Sequence, residues 1–150
     1  MEPAEHICIV GAKGMLGGEL AGLLERGPGR STLAACFAEW HPRDWPPHDA
    51  ARCRFTPLDL DELDITRRQA VLNLLEELRP TLVINTAACT DVDGCESHEQ
   101  EATAGNVTGP ANLAEACARL NARLVHVSTD YVFNGRSQLP YLPNDPIDPQ

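Results

Sequence analysis

The sequence predicts an α/β fold built on a doubly wound parallel sheet, and three observations carry that prediction. Short β-like runs alternate with longer helical ones, as successive βαβ units require. One of the β-runs, TLVINTAA at 81–88, is almost continuously apolar, the pattern of a strand buried on both faces. Between the first strand and the first helix stands G-x-x-G-x-x-G, formed by Gly11, Gly14 and Gly17.

Taken in order, the strand at 6–10 feeds a helix over 15–27, with apolar residues at helical spacing and a glycine at its end. TLAACFAEW (32–40) reads as the second strand, and HPRDWPPHDAARC, with three prolines, as irregular loop. A weak third strand around RFTPLDL leads to a helix over about 67–78, capped by Thr66 and stopped by Pro80. The fourth strand is 81–88. A helical stretch over about 99–120, interrupted by GNVTGP, precedes a fifth strand, ARLVHVST (122–129), and everything after Val132 reads as loop.

At 150 residues and 43% hydrophobic content, one domain spanning 1–150 is expected. A formal charge of -10 without a lysine or arginine run argues against nucleic acid as a partner. No apolar run reaches the roughly 18–20 residues that cross a bilayer, and the first residues lack the features of a signal peptide. A cytoplasmic protein without membrane attachment is therefore expected. The six cysteines are scattered and include no C-x-x-C pair, so reduced thiols are the simpler reading. Cys36, His41, His48 and Cys53 form an imaginable metal set, but their spacing does not support it, and no metal is expected.

In a doubly wound sheet the ligand lies beyond the carboxyl ends of the strands, so the polar ends of the first, fourth and fifth strands should share one crevice. The glycines allow a tight turn and a close approach of backbone N–H groups to a pyrophosphate, with the helix N-terminus adding positive potential. Set between a strand and a helix, they predict a Rossmann-like dinucleotide site that includes Met15 and Leu16 at the helix start. Lys13 either lies against a phosphate or is a solvated surface residue. About 20 residues further on, Glu39 suits the ribose hydroxyls of NADH and Arg43 the 2′-phosphate of NADPH, so the choice of cofactor stays open. The acids of DLDELDIT (59–66) are accounted for by helix capping. Ala87 and Ala88 are small enough for a cofactor to approach, or simply for close packing. Asn106 sits within a helical stretch as either a buried backbone clamp or merely an exposed residue. At the end of the fifth strand, Thr129, Asp130 and Tyr131 offer a hydroxyl, an acid and a phenol where a substrate carbonyl would meet a nicotinamide.

Together IVGAKGMLGGEL, LDITRRQAVLNLLEELRPTLVINTAACTDVDGCE, NVTGPANLAEACARLNARLVHVSTDYVFNG and PYLPNDPIDP resemble the N-terminal half of dTDP-4-dehydrorhamnose reductases, within the extended short-chain dehydrogenase/reductase superfamily. The resemblance covers most of the chain outside about 28–57. It implies reduction of the 4-keto group of a nucleotide-linked deoxysugar by NADPH or NADH, on the route to activated L-rhamnose for cell-surface polysaccharide. It further implies that Gly11, Gly14 and Gly17 hold the pyrophosphate and that Asp64 and Ile65 lie along the adenine. Ala87 and Ala88 would adjoin the cofactor ribose, Thr129 would orient the substrate carbonyl, and Asp130 and Tyr131 would line the same site. The family's Tyr-x-x-x-Lys pair falls beyond the segment matching DPIDP, so the 150 residues alone are expected to turn over nothing detectable. The same superfamily offers other readings: a non-catalytic module like the regulatory subunit of methionine adenosyltransferase, or another sugar-nucleotide reductase or epimerase. Homodimers are also common in it.

Overall fold

Ile7 and Ile9 on one side of the first strand, and Cys8 and Val10 on the other, are all buried, so this strand needs cover on both faces. The computed structural model, which describes residues 5–25 and 54–149, provides that cover. Strand β1 (His6–Val10) is followed by helix α1 (Met15–Glu25), β2 (Arg54–Leu58), α2 (Arg68–Leu78) and β3 (Leu82–Asn85). Two short helices come next, α3 (Val92–Ser97) and α4 (Glu99–Thr103). One wide turn of π-helix (Ala104–Thr108) then leads into α5 (Gly109–Leu120), β4 (Arg123–His126) and a 3₁₀ turn at Asp130–Val132.

The described strands form a parallel sheet in the order β2-β1-β3-β4, with Cys8 opposite Thr56 and Val83, and Val83 opposite Leu124. One face packs Cys8, Val10 and Val83 against Val71, Leu72 and Leu75 of α2 and Leu113, Ala116 and Cys117 of α5. The other packs Ile7, Ile9, Leu82 and Ile84 against Leu20, Ala21 and Leu24 of α1. Helices therefore lie on both sides of the sheet, the doubly wound arrangement anticipated above. Among the described residues no helix is long and apolar enough to cross a membrane.

The run at 54–58, expected as a third strand, is hydrogen-bonded directly to β1. That is the place a second strand takes in this topology. Pro57 sits opposite Ile9 within it, and a residue without an N–H is tolerated because β2 is the outermost described strand on that side. The expected strand at 32–40, with Cys36, Glu39, His41, Arg43, His48 and Cys53, lies outside the described residues. The helical stretch after 99 is broken as its glycines suggested, but α3 was not anticipated. The strand ends are also shorter, with β3 stopping at Asn85 and β4 at His126.

At the amino-terminal edge of the sheet, buried His6 ties three elements together. Its Nδ1 is 2.8 Å from the Leu78 carbonyl oxygen at the end of α2, and its Nε2 is 2.8 Å from Thr56 Oγ1 on β2. Helix α2 ends where Arg79 turns left-handed (φ 50°), its N–H donating to the Leu75 carbonyl just before Pro80.

Candidate functional site

The carboxyl ends of β1, β2, β3 and β4 lie on one side of the sheet, and the glycine turn stands at the first. Gly11 has φ +82°, and a Cβ there would lie 2.6 Å from the Ala87 nitrogen. A Cβ on Gly17 would overlap the Gly11 carbonyl oxygen. These two glycines thus press the turn and the start of α1 against the end of β3, leaving no room for any larger residue. Gly11 and Ala12 donate their N–H groups to the Leu58 carbonyl of β2, at 2.9 and 3.1 Å, and Thr86 Oγ1 donates to the Val10 carbonyl at 2.8 Å. Met15, Leu16 and Gly17 open α1, where first-turn N–H groups have no intrahelical acceptor. Met15 is 91% exposed and Leu16 is also exposed.

Asp59 follows directly on β2. Its carboxylate accepts the Lys13 backbone N–H at 2.6 Å and the Leu60 N–H at 2.8 Å, and the first of these bonds is the main reason its pKa is held below 3.8. An ionised carboxylate therefore adjoins the glycine turn, in the position where dinucleotide-binding sheets carry the acid that meets a ribose. Sequence reasoning missed it by counting about 20 residues from the glycines and looking at Glu39; the available signal was the acid ending RFTPLD. The Lys13 ammonium is paired with Asp61 on the exposed surface, and the hydrogen bond with Asp61 raises its pKa.

Asp64 shapes the loop that enters α2. Its Oδ1 accepts both the hydroxyl and the N–H of Thr66, at 2.6 and 3.0 Å, while Arg67 Nε lies 3.2 Å from Oδ2. The Thr66 hydroxyl is the leading cause of its lowered pKa. Thr66 thus donates to Asp64 and does not cap α2, whose flanking Arg67 makes no side-chain capping bond. The Ile65 side chain is 7% exposed and packs into the core against Gly109, while Asn112 Nδ2 holds the Ile65 carbonyl at 2.8 Å.

On β3, Asn85 is fully buried and organises the segment that follows. Its Oδ1 accepts the Ala87 N–H at 3.1 Å and its Nδ2 lies 3.0 Å from Nδ1 of His126, the last residue of β4. Val127 donates its N–H to the Asn85 carbonyl at 3.0 Å, so Ser128 and Thr129 leave the sheet beside Thr86–Ala88. Ala87 is half-buried and Ala88 exposed. Neither Asn85 nor His126 was singled out from sequence, because an asparagine in an apolar strand and a histidine in the next show no periodicity linking them.

Thr129 Oγ1 accepts the Tyr131 N–H at 3.2 Å and lies 3.3 Å from Asp130 Oδ1, capping the 3₁₀ turn. Thr129, Asp130 and Tyr131 are exposed, Tyr131 by 75%. Asn106 is exposed and yet a clamp, so it joins the two expected alternatives: within the π turn its Oδ1 accepts the Cys89 N–H at 2.7 Å and its Nδ2 donates to the Cys89 carbonyl at 3.0 Å. The structure brings the glycine turn, Asp59, Ala87 and the start of α1 together, with Thr129 at the neighbouring strand end. Glu39 and Arg43 lie outside the described residues.

Comparison with known proteins points the same way. The model of the family described as RmlD substrate binding domain matches residues 5–150. A dTDP-4-dehydrorhamnose reductase of Mycobacterium tuberculosis is 40% identical over 151 residues, covering 98% of this chain and 41% of that protein. One from Aggregatibacter actinomycetemcomitans is 36% identical over 144 residues, covering 96% and 41%. Among solved structures, a dTDP-4-dehydrorhamnose reductase of Clostridium acetobutylicum superposes with a TM-score of 0.78 at 34% identity, over 97% of this chain and 43% of that one. One from Bacillus anthracis, in complex with NADP, gives 0.76 at 30%, over 97% and 43%. The chain spans about 41% of the length of the curated relatives it matches most fully.

Proposed function

Since the chain belongs to the RmlD substrate binding domain family, we propose that it forms the dinucleotide-binding part of a dTDP-4-dehydrorhamnose reductase. The reaction would be NAD(P)H-dependent reduction of the 4-keto group of dTDP-4-dehydro-L-rhamnose, in the cytoplasm. The single observation that carries this reading is the glycine turn, where Gly11, at φ +82°, lets the backbone lie directly against Ala87 and so sets the start of α1 beside the end of β3. That turn, with the first-turn N–H groups of α1 and the adjoining ionised Asp59, suits a dinucleotide.

The first-turn N–H groups of Met15, Leu16 and Gly17 would bind the pyrophosphate, with Gly14 giving it access and Lys13 at its rim. Asp59 would accept hydrogen bonds from the adenosine ribose, the role the sequence spacing assigns to Glu39, while the 2′-phosphate role given to Arg43 has no counterpart among the described residues. The loop at Asp64 and Ile65 would lie along the adenine, offering its backbone because the Ile65 side chain belongs to the core. Ala87 and Ala88 would line the nicotinamide ribose. A bound NADH or NADPH supplies hydride to a carbonyl carbon. Thr129 would turn its hydroxyl from Asp130 to hold the carbonyl oxygen, and Asp130 and Tyr131 would line the sugar. A homodimer is the assembly proposed for the family's enzyme.

Tyr131 and Tyr141 are not followed four residues later by a lysine, and Lys13 is the only lysine of the sequence. The 150 residues are therefore expected to bind NADH or NADPH without turning over dTDP-4-dehydrorhamnose. Calorimetric titration with each dinucleotide, followed by an assay of absorbance at the reduced nicotinamide band, tests this. Saturable binding with no turnover supports the proposal. Absence of binding at millimolar dinucleotide, or steady turnover by this chain, would overturn it.

A further inference from the structure

Two thiols face each other beside the crevice, outside the machinery described above. Cys95 Sγ lies 3.3 Å from Cys89 Sγ, with Cys95 as the donor. Both backbones are held. Cys89 is gripped at its N–H and its carbonyl by Asn106, at 2.7 and 3.0 Å. Cys95 sits in the first turn of α3, its N–H donating to the Asp91 carbonyl at 2.8 Å, while the Asp91 side chain accepts the Gly94 N–H at 3.1 Å. Cys89 is exposed and Cys95 half-buried, whereas Cys8 and Cys117 are buried. A disulfide requires the sulfurs to close from 3.3 Å to roughly 2.05 Å.

We propose that Cys89 and Cys95 form a reversible dithiol–disulfide site, oxidised by small disulfides of the glutathione class. In the first step the Cys89 thiolate attacks the oxidant's S–S bond, forming a mixed disulfide and expelling one glutathione thiolate. In the second, the Cys95 thiol gives up its proton and attacks Cys89 Sγ, expelling the second glutathione. Two protein S–H bonds are lost as one S–S bond forms, and the oxidant's S–S bond is reduced to two thiols. The order of attack follows from access, since Cys89 is exposed to the oxidant and Cys95 is half-buried. Oxidation would tie the segment after Ala88 to α3. The inference rests on contacts among residues 89–106 and holds whether or not the chain binds a dinucleotide.

The test treats the reduced, folded 150-residue chain with glutathione disulfide, alkylates the remaining thiols, and cleaves before Asp91 and Asp93, between the two cysteines. The expected result is a pair of fragments joined through Cys89 and Cys95, two hydrogens lighter than the dithiol form and separated by dithiothreitol. Both thiols should lose alkylation about tenfold or more faster than buried Cys117. Cys89→Ser and Cys95→Ser each leave a single thiol, which should accumulate as its glutathione mixed disulfide. Persistent mixed disulfides at Cys89 and Cys95 in the unmodified sequence, or continued alkylation of both while circular dichroism shows a folded chain, would overturn the proposal.

Discussion

Gly11 carries two demands at one position, a left-handed φ of +82° and a site where an added Cβ would lie only 2.6 Å from the Ala87 nitrogen. Gly11→Ala is therefore expected to lower stability by about 1–3 kcal/mol in urea unfolding and to abolish dinucleotide binding by moving the turn. Asp59 sets a second expectation. Two backbone N–H groups keep it ionised, and an anion beside the ribose favours a free 2′-hydroxyl over a 2′-phosphate. NADH should bind more tightly than NADPH, and Asp59→Asn should narrow the difference by about tenfold, or ~1.4 kcal/mol, in competitive titrations. The glycines were legible because their spacing and their place between strand and helix encode the turn. Asp59 was not, because its role depends on which β-run lies beside β1, and sequence spacing suggested the run at 32–40.

Elements meet at His6, which links β1 to β2 and to the end of α2. Burial, which outweighs the raising effect of the Leu78 carbonyl and is joined by the charge of Arg54, lowers its pKa below 6.5. As pH falls the unfolded chain therefore takes up this proton first. The stability due to neutral His6 is fully present above about pH 6.5 and is lost as pH falls from there through the lowered value. Urea midpoints should fall across that window in the unmodified chain and less in His6→Gln. The carboxylates Asp59, Asp64 and Glu115, whose pKa values are lowered, titrate at more acid pH and do not mask the effect. At this scale α2 and α5 were readable from apolar spacing. The division of the earlier helical stretch was only partly so, because the π turn exists to carry Asn106 to the Cys89 backbone, a contact 17 residues apart in sequence.

For the molecule as a whole, the sheet depends on the layer of α2 and α5 over β1 and β3. Leu75 is fully buried at its centre, and Leu75→Ala should cost about 2–5 kcal/mol in unfolding free energy without altering the glycine turn. The architecture was legible because strands buried on both faces are written as unbroken apolar runs. The convergence of site residues was readable only as a rule of topology, and its details rest on the Asn85 and His126 contact, which no local pattern announces. This sheet is expected to bind a dinucleotide across the carboxyl ends of β1, β2 and β3. Amide chemical-shift mapping on the isotope-labelled chain during NADH titration tests it most directly. Saturable shifts should concentrate at Gly14–Gly17, Asp59–Asp61, Asp64–Ile65 and Ala87–Ala88, with little change at His6 or Thr81. Shifts confined to the opposite edge of the sheet, or none at millimolar NADH, would contradict it.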